Sequence, residues 1–303
     1  MRNTLDETQE VSSVGSRPRP AAGTAVFPEQ LGRYRIVGEL GKGAMGVVYR
    51  ARDPRINREV ALKAIPLAEE FEGSELEDAR TKFFREAEMA GRLSHPHIVT
   101  IHDAGEDHGT AYIAMELLRG RHLVEYTDPA RLLPVGVALE IVACLADALH
   151  YAHGQHVVHR DIKPANVMFD VANGELKITD FGIARLTDTN RTRTGIVLGT
   201  PSFMSPEQLQ GRAVTGSSDL FSLAVTACQL LTGQLPFRAD SMPALMIKIA
   251  SEPHPPIRAM RPDLPVGLDA VFDRALAKSP ADRIESGAVF ATALRDLKST
   301  LGS

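Results

Sequence analysis

Cysteine is nearly absent. The 303 residues contain two, Cys144 and Cys228, too few for a disulfide framework. Both sit in apolar helical patterns and read as small buried hydrophobes in a reducing compartment, with a regulatory thiol as the weaker alternative. An excess of positive charge is also absent. Lys and Arg total 34 against 38 Asp and Glu, leaving a formal net charge of -4, which excludes the global basic footprint of a nucleic-acid binder. No apolar run stands out at the roughly 20 residues of a membrane span, and no secretory signal is visible at the N-terminus. A cytoplasmic chain is the expectation. There is no repeat and no zinc-ligand spacing. His150, His153 and His156 lie close in sequence, but no cysteine or carboxylate set with ligand geometry accompanies them.

Apolar periodicity is missing from residues 1–30, which are rich in Ser, Thr, Pro, Gly and charge. They read as a disordered, solvated tail ahead of one domain over 31–303. Their hydroxyls are candidate modification sites only in the weaker reading.

What is present concentrates at His159-Arg160-Asp161-Ile162-Lys163-Pro164-Ala165-Asn166. Asp161 can take a proton from a hydroxyl, Lys163 can hold a phosphate oxygen, and Asn166 offers a neutral oxygen to Mg²⁺. Asp180-Phe181-Gly182 adds a second hard oxygen ligand. Two apolar runs, 167–169 and 176–178, lie between them and read as a hairpin joined through Asn173-Gly174. Such a hairpin would bring Asn166 and Asp180 together.

Upstream, strand-like runs 34–40 and 47–51 flank Gly41-Lys42-Gly43-Ala44-Met45-Gly46. Glycines there let backbone approach phosphates. A strand rather than a helix follows, which argues against a dinucleotide fingerprint. The next strand, 60–65, is apolar except for Lys63, and a buried ammonium needs an anionic partner. A helix over 81–93 offers two carboxylates, Glu86 and Glu88. Residues 98–101 and 111–116 read as strands, and 137–153 as a one-faced helix. The segment 183–206 has no regular period and holds Thr187, Thr189, Thr192 and Thr194 among arginines; a loop of that length is usually functional. Residues 219–231 are apolar on nearly every face, as a central buried helix would be, with Asp219 as a cap at its start and Gly233 as its stop. Short amphipathic helices over 242–250, 268–277 and 289–297 complete the chain.

These signatures, in this order over about residues 34–297, resemble the catalytic domain of a bacterial Hanks-type (eukaryotic-like) serine/threonine protein kinase. The resemblance implies an α+β protein kinase fold of two lobes. The N-lobe, about 31–117, would be a small antiparallel sheet with one main helix; the C-lobe, about 118–300, would be larger and mainly helical. It implies transfer of the γ-phosphoryl group of ATP to Ser or Thr of protein substrates, with Mg²⁺ as metal and Mn²⁺ as a substitute. Lys163, two positions after the base, favours Ser/Thr over Tyr.

The resemblance also assigns roles. Leu40, Gly41, Lys42, Gly43, Ala44, Met45 and Gly46 would cover the phosphates, and Val48 and Ala61 would pack on adenine. Met115 would be the gatekeeper, with the backbone of Glu116 and Leu118 bonding adenine. Lys63 would bind phosphates, oriented by Glu86, which is chosen over Glu88 by counting back from Ser94-His95-Pro96. Asp161 would be the base and Lys163 would steady the transferring group, while Asn166 and Asp180 would hold the metal. Phosphorylated Thr192 or Thr194 would pair with Arg160 and Arg185. Thr200 would bond Asp161 and Lys163, Glu207 would pair with Arg283, and Asp219 would steady the catalytic loop. Ser205 stands where the family has Ala. A homodimer for trans-autophosphorylation fits this picture, and nucleic acid does not. Two rivals are a pseudokinase scaffold on the same fold, which predicts a missing catalytic part, and a small-molecule phosphotransferase, which gives no reason for Thr200 or for Ser205-Pro206-Glu207.

Overall fold

The computed structural model describes residues 27–43, 46–181 and 201–302. The upper lobe is an antiparallel sheet of β1 (Gln30–Leu31), β2 (Tyr34–Gly43), β3 (Gly46–Asp53), β4 (Arg58–Ile65), β5 (Ile101–Asp107) and β6 (Thr110–Glu116), in the order β1-β2-β3-β4-β6-β5. Between β4 and β5 run a one-turn helix, α1 (Leu67–Glu70), and the main helix, α2 (Gly73–Gly91). Alternation along β4 explains the layering. Val60, Leu62 and Ala64 join Tyr34, Tyr49 and Tyr112 in a core on one face. Ile65 and Ile113 meet Phe83 and Ala87 of α2 on the other, and Ala61 joins Met115 and Val99 at its lower end. By the same alternation Lys63 shares the face of Ala61 and Ile65.

Three sequence expectations change here. The glycine stretch is mostly strand: β2 reaches Gly43, which pairs with Gly46, and Ala44 and Met45 lie outside the described residues. Helix α2 begins at Gly73 rather than 81: Leu76 and Ala79 extend its apolar stripe toward the start, packing with Phe83, and charged residues between them hid the continuation. Arg80 pairs there with Glu106 of β5 at 2.6 Å. The strand expected over 98–101 starts at Ile101 and runs through the polar Asp103 to Asp107. All seven of its residues are half-buried, and its acidic side chains are held by tertiary partners, Asp103 by Tyr34 and Arg33, Glu106 by Arg80 and Asp107 by Gly32 N–H, so no apolar alternation marks it. Ile98 bridges to Ile178 in the lower lobe instead.

The lower lobe contains β7 (Arg121–His122), α3 (Val135–Gly154), β8 (Val167–Asp170), β9 (Glu175–Ile178) and α4 (Pro206–Leu209), then α5 (Gly216–Thr232), α6 (Met242–Ser251), α7 (Ile257–Met260), α8 (Leu268–Ala275) and α9 (Gly287–Ser299). Strands β7, β8 and β9 form a small sheet. The β8–β9 loop spans 171–174, since Asp170 pairs with Glu175. Asn173-Gly174 is therefore its second half rather than a two-residue turn, with Gly174 at φ 75° and its N–H on Asp170 O at 2.8 Å.

Helix α5 is buried along almost its whole length, as its all-round apolarity requires, and ends on Gly233 at φ 73°. Helix α3 corrects the expectation about apolar runs. Its 20 residues include an 18-residue stretch with a mean hydropathy of 1.6, long and apolar enough by composition to cross a membrane. Burial accounts for this apolarity: Ala138, Leu139, Val142, Leu145 and Leu149 are fully enclosed in the lower-lobe core. Where α9 crosses α3, a Cβ on Gly287 would stand 2.1 Å from Ala146 O, so glycine permits the contact.

Candidate active site

Residues 159–161 follow α3 and rest on Asp219. The Asp219 carboxylate accepts His159 N–H at 2.8 Å and Arg160 N–H at 2.7 Å, and His153 Nε2 lies 2.8 Å from it. The sequence had Asp219 capping its own helix. Helix α5 instead starts three residues before it, at Gly216 behind Thr215, which frees this buried carboxylate for the loop beneath the site. Arg160 and Asp180 adopt φ of 72° and 65°, a region costly for side-chain-bearing residues and often stored at functional sites. His159, fully buried, accepts Asp161 N–H at Nδ1 (3.2 Å) and donates from Nε2 to Thr179 O (2.8 Å), which fixes its tautomer. Its ring meets Phe181 edge-on at 4.6 Å.

Asp161 Oδ2 accepts from Lys163 Nζ at 2.7 Å and Asn166 Nδ2 at 2.9 Å. Asn166 Nδ2 also reaches Asp161 O at 2.8 Å, so the atom Asn166 can offer a cation is Oδ1. The hairpin continues one rung beyond its strands: Thr179 N and Oγ1 both donate to Asn166 O, at 2.9 and 3.1 Å. This seats Asp180 beside Asn166. From the upper lobe, Lys63 Nζ reaches Asp180 Oδ1 at 2.8 Å. Lys63 is only 8 % exposed, so this partner supplies the anion its burial needs. Glu86 is buried on α2 with Phe83, Ala87 and Ala90, while Glu88 points outward and pairs with Arg92. The sequence put Glu86 beside Lys63; the ion pair described for the ammonium is with Asp180.

Above the cleft, Gly41 and Gly43 lie in β2 opposite Val48 and Gly46. Gly46 has φ 138°, and a Cβ there would fall 1.9 Å from Ala64 O. Leu40 and Lys42 are exposed. Val48, Ala61, Val99, Met115, Leu117 and Leu118 form one apolar patch, a surface fit for a flat ring. Glu116 adds something the sequence did not show. Burial pushes its carboxyl up, but Lys177 and the Thr100 N–H outweigh this and hold it below the usual carboxylate range.

Glu207 and Arg283 form a two-pronged pair, both prongs 2.7 Å, with Ser218 Oγ donating to Glu207 Oε1 at 2.6 Å. Ser205, where the family has Ala, is fully buried and caps α4 in a box with Gln208. Gln208 Nε2 then donates to Arg160 O at 2.8 Å. Gln208, His153 and Lys177 were missed from sequence. The Ser205-x-x-Gln208 capping box was readable; the other two left no signature. Thr192, Thr194, Arg185 and Thr200, like Gly182, lie outside the described residues.

Among the described residues no three His, Cys, Asp or Glu side chains converge as a metal cage. Asn166 with Asp180 suits a hard ion that takes its remaining ligands from phosphates and water, as Mg²⁺ does.

Residues 34–289 match the family model described as protein kinase domain. The chain is 38% identical over 276 residues to serine/threonine-protein kinase pkn3 of Myxococcus xanthus, covering 87% of this chain and 49% of that protein. It is 40% identical over 274 residues to serine/threonine-protein kinase PknF of Mycobacterium tuberculosis, covering 86% and 55%. The chain thus spans about half the length of these curated relatives. The crystal structure of the Mycobacterium tuberculosis PknI kinase domain superposes with a TM-score of 0.71 at 36% identity, covering 88% of this chain and 97% of that one.

Proposed function

The chain belongs to the protein kinase family, and from that premise we propose that it moves the γ-phosphoryl group of Mg·ATP to Ser or Thr hydroxyls of proteins. The observation that carries this reading is the 2.8 Å pair between Lys63 of the upper lobe and Asp180 of the lower. It joins the phosphate-binding ammonium to a metal-binding carboxylate in one cleft, as a single Mg·nucleotide would require.

Asp161 orients the acceptor hydroxyl and takes its proton. The hydroxyl oxygen bonds to the γ-phosphorus as the bond to the β,γ-bridging oxygen breaks, and ADP leaves with that electron pair. Lys163, already 2.7 Å from Asp161, steadies the transferring group. Asn166 Oδ1 and Asp180 would hold the divalent ion, which would supply positive charge to offset that of the phosphates; Mn²⁺ is a substitute. Lys63, oriented by Glu86, holds phosphates under Leu40, Gly41, Lys42, Gly43, Ala44, Met45 and Gly46. Val48, Ala61 and Met115 enclose adenine, and Glu116 and Leu118 bond it through their backbone. Positioning of this kind accounts for roughly 7–11 kcal/mol of a barrier.

Thr192 and Thr194 are the proposed autophosphorylation sites, read by Arg160 and Arg185, with a second copy of the chain as the partner in trans. Protein substrates dock near Thr200, on a segment anchored by Glu207 and Arg283. The need for ATP and the two free cysteines favour a cytoplasmic setting.

One experiment tests activity and switch together. Wild type and Asp161→Asn are incubated with Mg·ATP and a generic protein acceptor and read by mass spectrometry. Wild type is expected to phosphorylate the acceptor and its own Thr192 or Thr194, and Asp161→Asn to be slower by about 10²–10⁴-fold. Equal rates would refute the kinase reading. Transfer to acceptor without loop phosphate would refute the switch.

A further inference from the structure

The side chain of Glu116 makes contacts that none of these roles explains. Glu116 ends β6 at the connection between lobes. Its Oε1 accepts from Lys177 Nζ at 2.7 Å and from Thr100 N–H at 2.6 Å, and its own N–H donates to Thr100 O at 3.0 Å. Lys177 stands on β9, three residues before Asp180. The same strand is bonded to the residues leading into Thr100. Val99 N donates to Ile178 O and Ile178 N to His97 O, each at 2.9 Å, and His97 Nδ1 donates to Leu176 O at 3.0 Å. Residues 97–100 thus form a strap, with the strand that delivers Asp180 on one side and the end of β6 on the other. The Lys177–Glu116 pair closes across it.

Energy alone does not explain this pair. Its side chains are only 12 % and 25 % exposed, so the cost of taking both charges out of water offsets much of their attraction. Each lobe also has a core cluster that involves neither residue. The leverage is geometric: the pair ties together the two places where opposite ends of one nucleotide are held.

We propose that Lys177 is a positioning residue for Mg·nucleotide, which through Glu116 sets the metal-binding Asp180 at a fixed span from the adenine-binding backbone. The inference rests on the kinase reading of the site. It separates two parts of nucleotide affinity. Adenosine, which has no phosphate, uses only the upper end of the cleft. Mg·ADP must engage both ends at once, so only its binding depends on the span.

The test is titration calorimetry of the whole chain with adenosine and with Mg·ADP, beside steady-state kinetics in ATP, for wild type, Lys177→Met and Lys177→Arg. Lys177→Met keeps an apolar stem and loses the cation. It is expected to bind adenosine as wild type does, to bind Mg·ADP about 5–20-fold more weakly, and to raise the KM for ATP with kcat held within about twofold. Lys177→Arg, whose cation still reaches Glu116, is expected to recover most of the Mg·ADP affinity. Unchanged Mg·ADP binding in Lys177→Met overturns the proposal, as does an equal loss for both ligands, which marks mere structural damage. If Lys177→Met does not fold, Lys177→Gln, which keeps a polar head and removes the charge, is judged by the same criteria. A wild type that transfers phosphate while Lys177→Met matches it removes only the positioning role. A wild type that neither binds Mg·ADP nor transfers phosphate removes the kinase reading and this inference with it.

Discussion

Glu207 and Arg283 show what a single buried pair does here. Their side chains are 6 % and 0 % exposed. Burial pushes the Glu207 carboxyl up, but Arg283 and Ser218 outweigh it and hold the group below its ordinary range. A carboxyl that is more acidic folded than unfolded adds stability above its unfolded pKa, and that stability is lost as pH falls through the folded value. Glu207→Gln leaves the guanidinium without its counter-charge. Urea unfolding at neutral pH is expected to show a loss of about 3–5 kcal/mol, and the acid limb of stability against pH should flatten. An acid limb as steep as wild type would contradict this. The pair was legible because both residues sit in recognisable motifs. Lys177 was not: it bonds a side chain 61 residues away, a contact that does not restrict residue type enough to show in a sequence; the capping role of Gln208 was readable, but its bond to a backbone carbonyl of the loop was not.

At the scale of elements, the glycine strands make contrasting demands. A Cβ on Gly41 would meet nothing within 4 Å, whereas one on Gly46 would strike the backbone of Ala64 next to Lys63. Gly46 also holds φ 138°. Gly46→Ala is expected to cost about 1–3 kcal/mol and to weaken ATP binding by pushing β3 from β4, while Gly41→Ala keeps the wild-type melting temperature. Thermal melts with ATP titrations decide it, and equal melting temperatures for the two variants would rule it out. Helix α2 carries a second lesson. Its middle, with Phe83 and Ala87, packs in the upper lobe, and its end, with Ala90, packs in the lower-lobe core. Glu86 lies between those anchorages. From sequence the apolar half of α2 was plain, but in its first two turns only Leu76 and Ala79 pack inward, too sparse a pattern among charges to mark a helix, and Arg80 adds a tertiary contact to Glu106 that local pattern does not encode. β5 was misplaced for a related reason, since its acidic side chains are held by residues distant in sequence, such as Arg33 and Arg80, rather than marked by a local apolar pattern.

For the whole molecule, two lobes and their order were readable because motif order and one all-apolar helix carry that information. Their union was not, because it depends on backbone bonds such as Val99 N to Ile178 O. The layered burial sets an order of local opening. Amides of Leu223, Ala224 and Val225 in α5, all fully enclosed, are expected to exchange hydrogen most slowly. Those of α1 and the two-residue β1 should exchange early. Exchange read by mass spectrometry tests this, and early loss of protection in α5 would refute it.

Asp219 joins these scales. One carboxylate on the most deeply enclosed helix receives two consecutive peptide N–H groups and faces an imidazole, so the turn presenting Asp161 is anchored from underneath. Chemistry can therefore be silenced from a place no nucleotide visits. A ligand or substitution that dislodged this anchor would stop turnover while the cleft above still filled normally, and raising ATP would not reverse it.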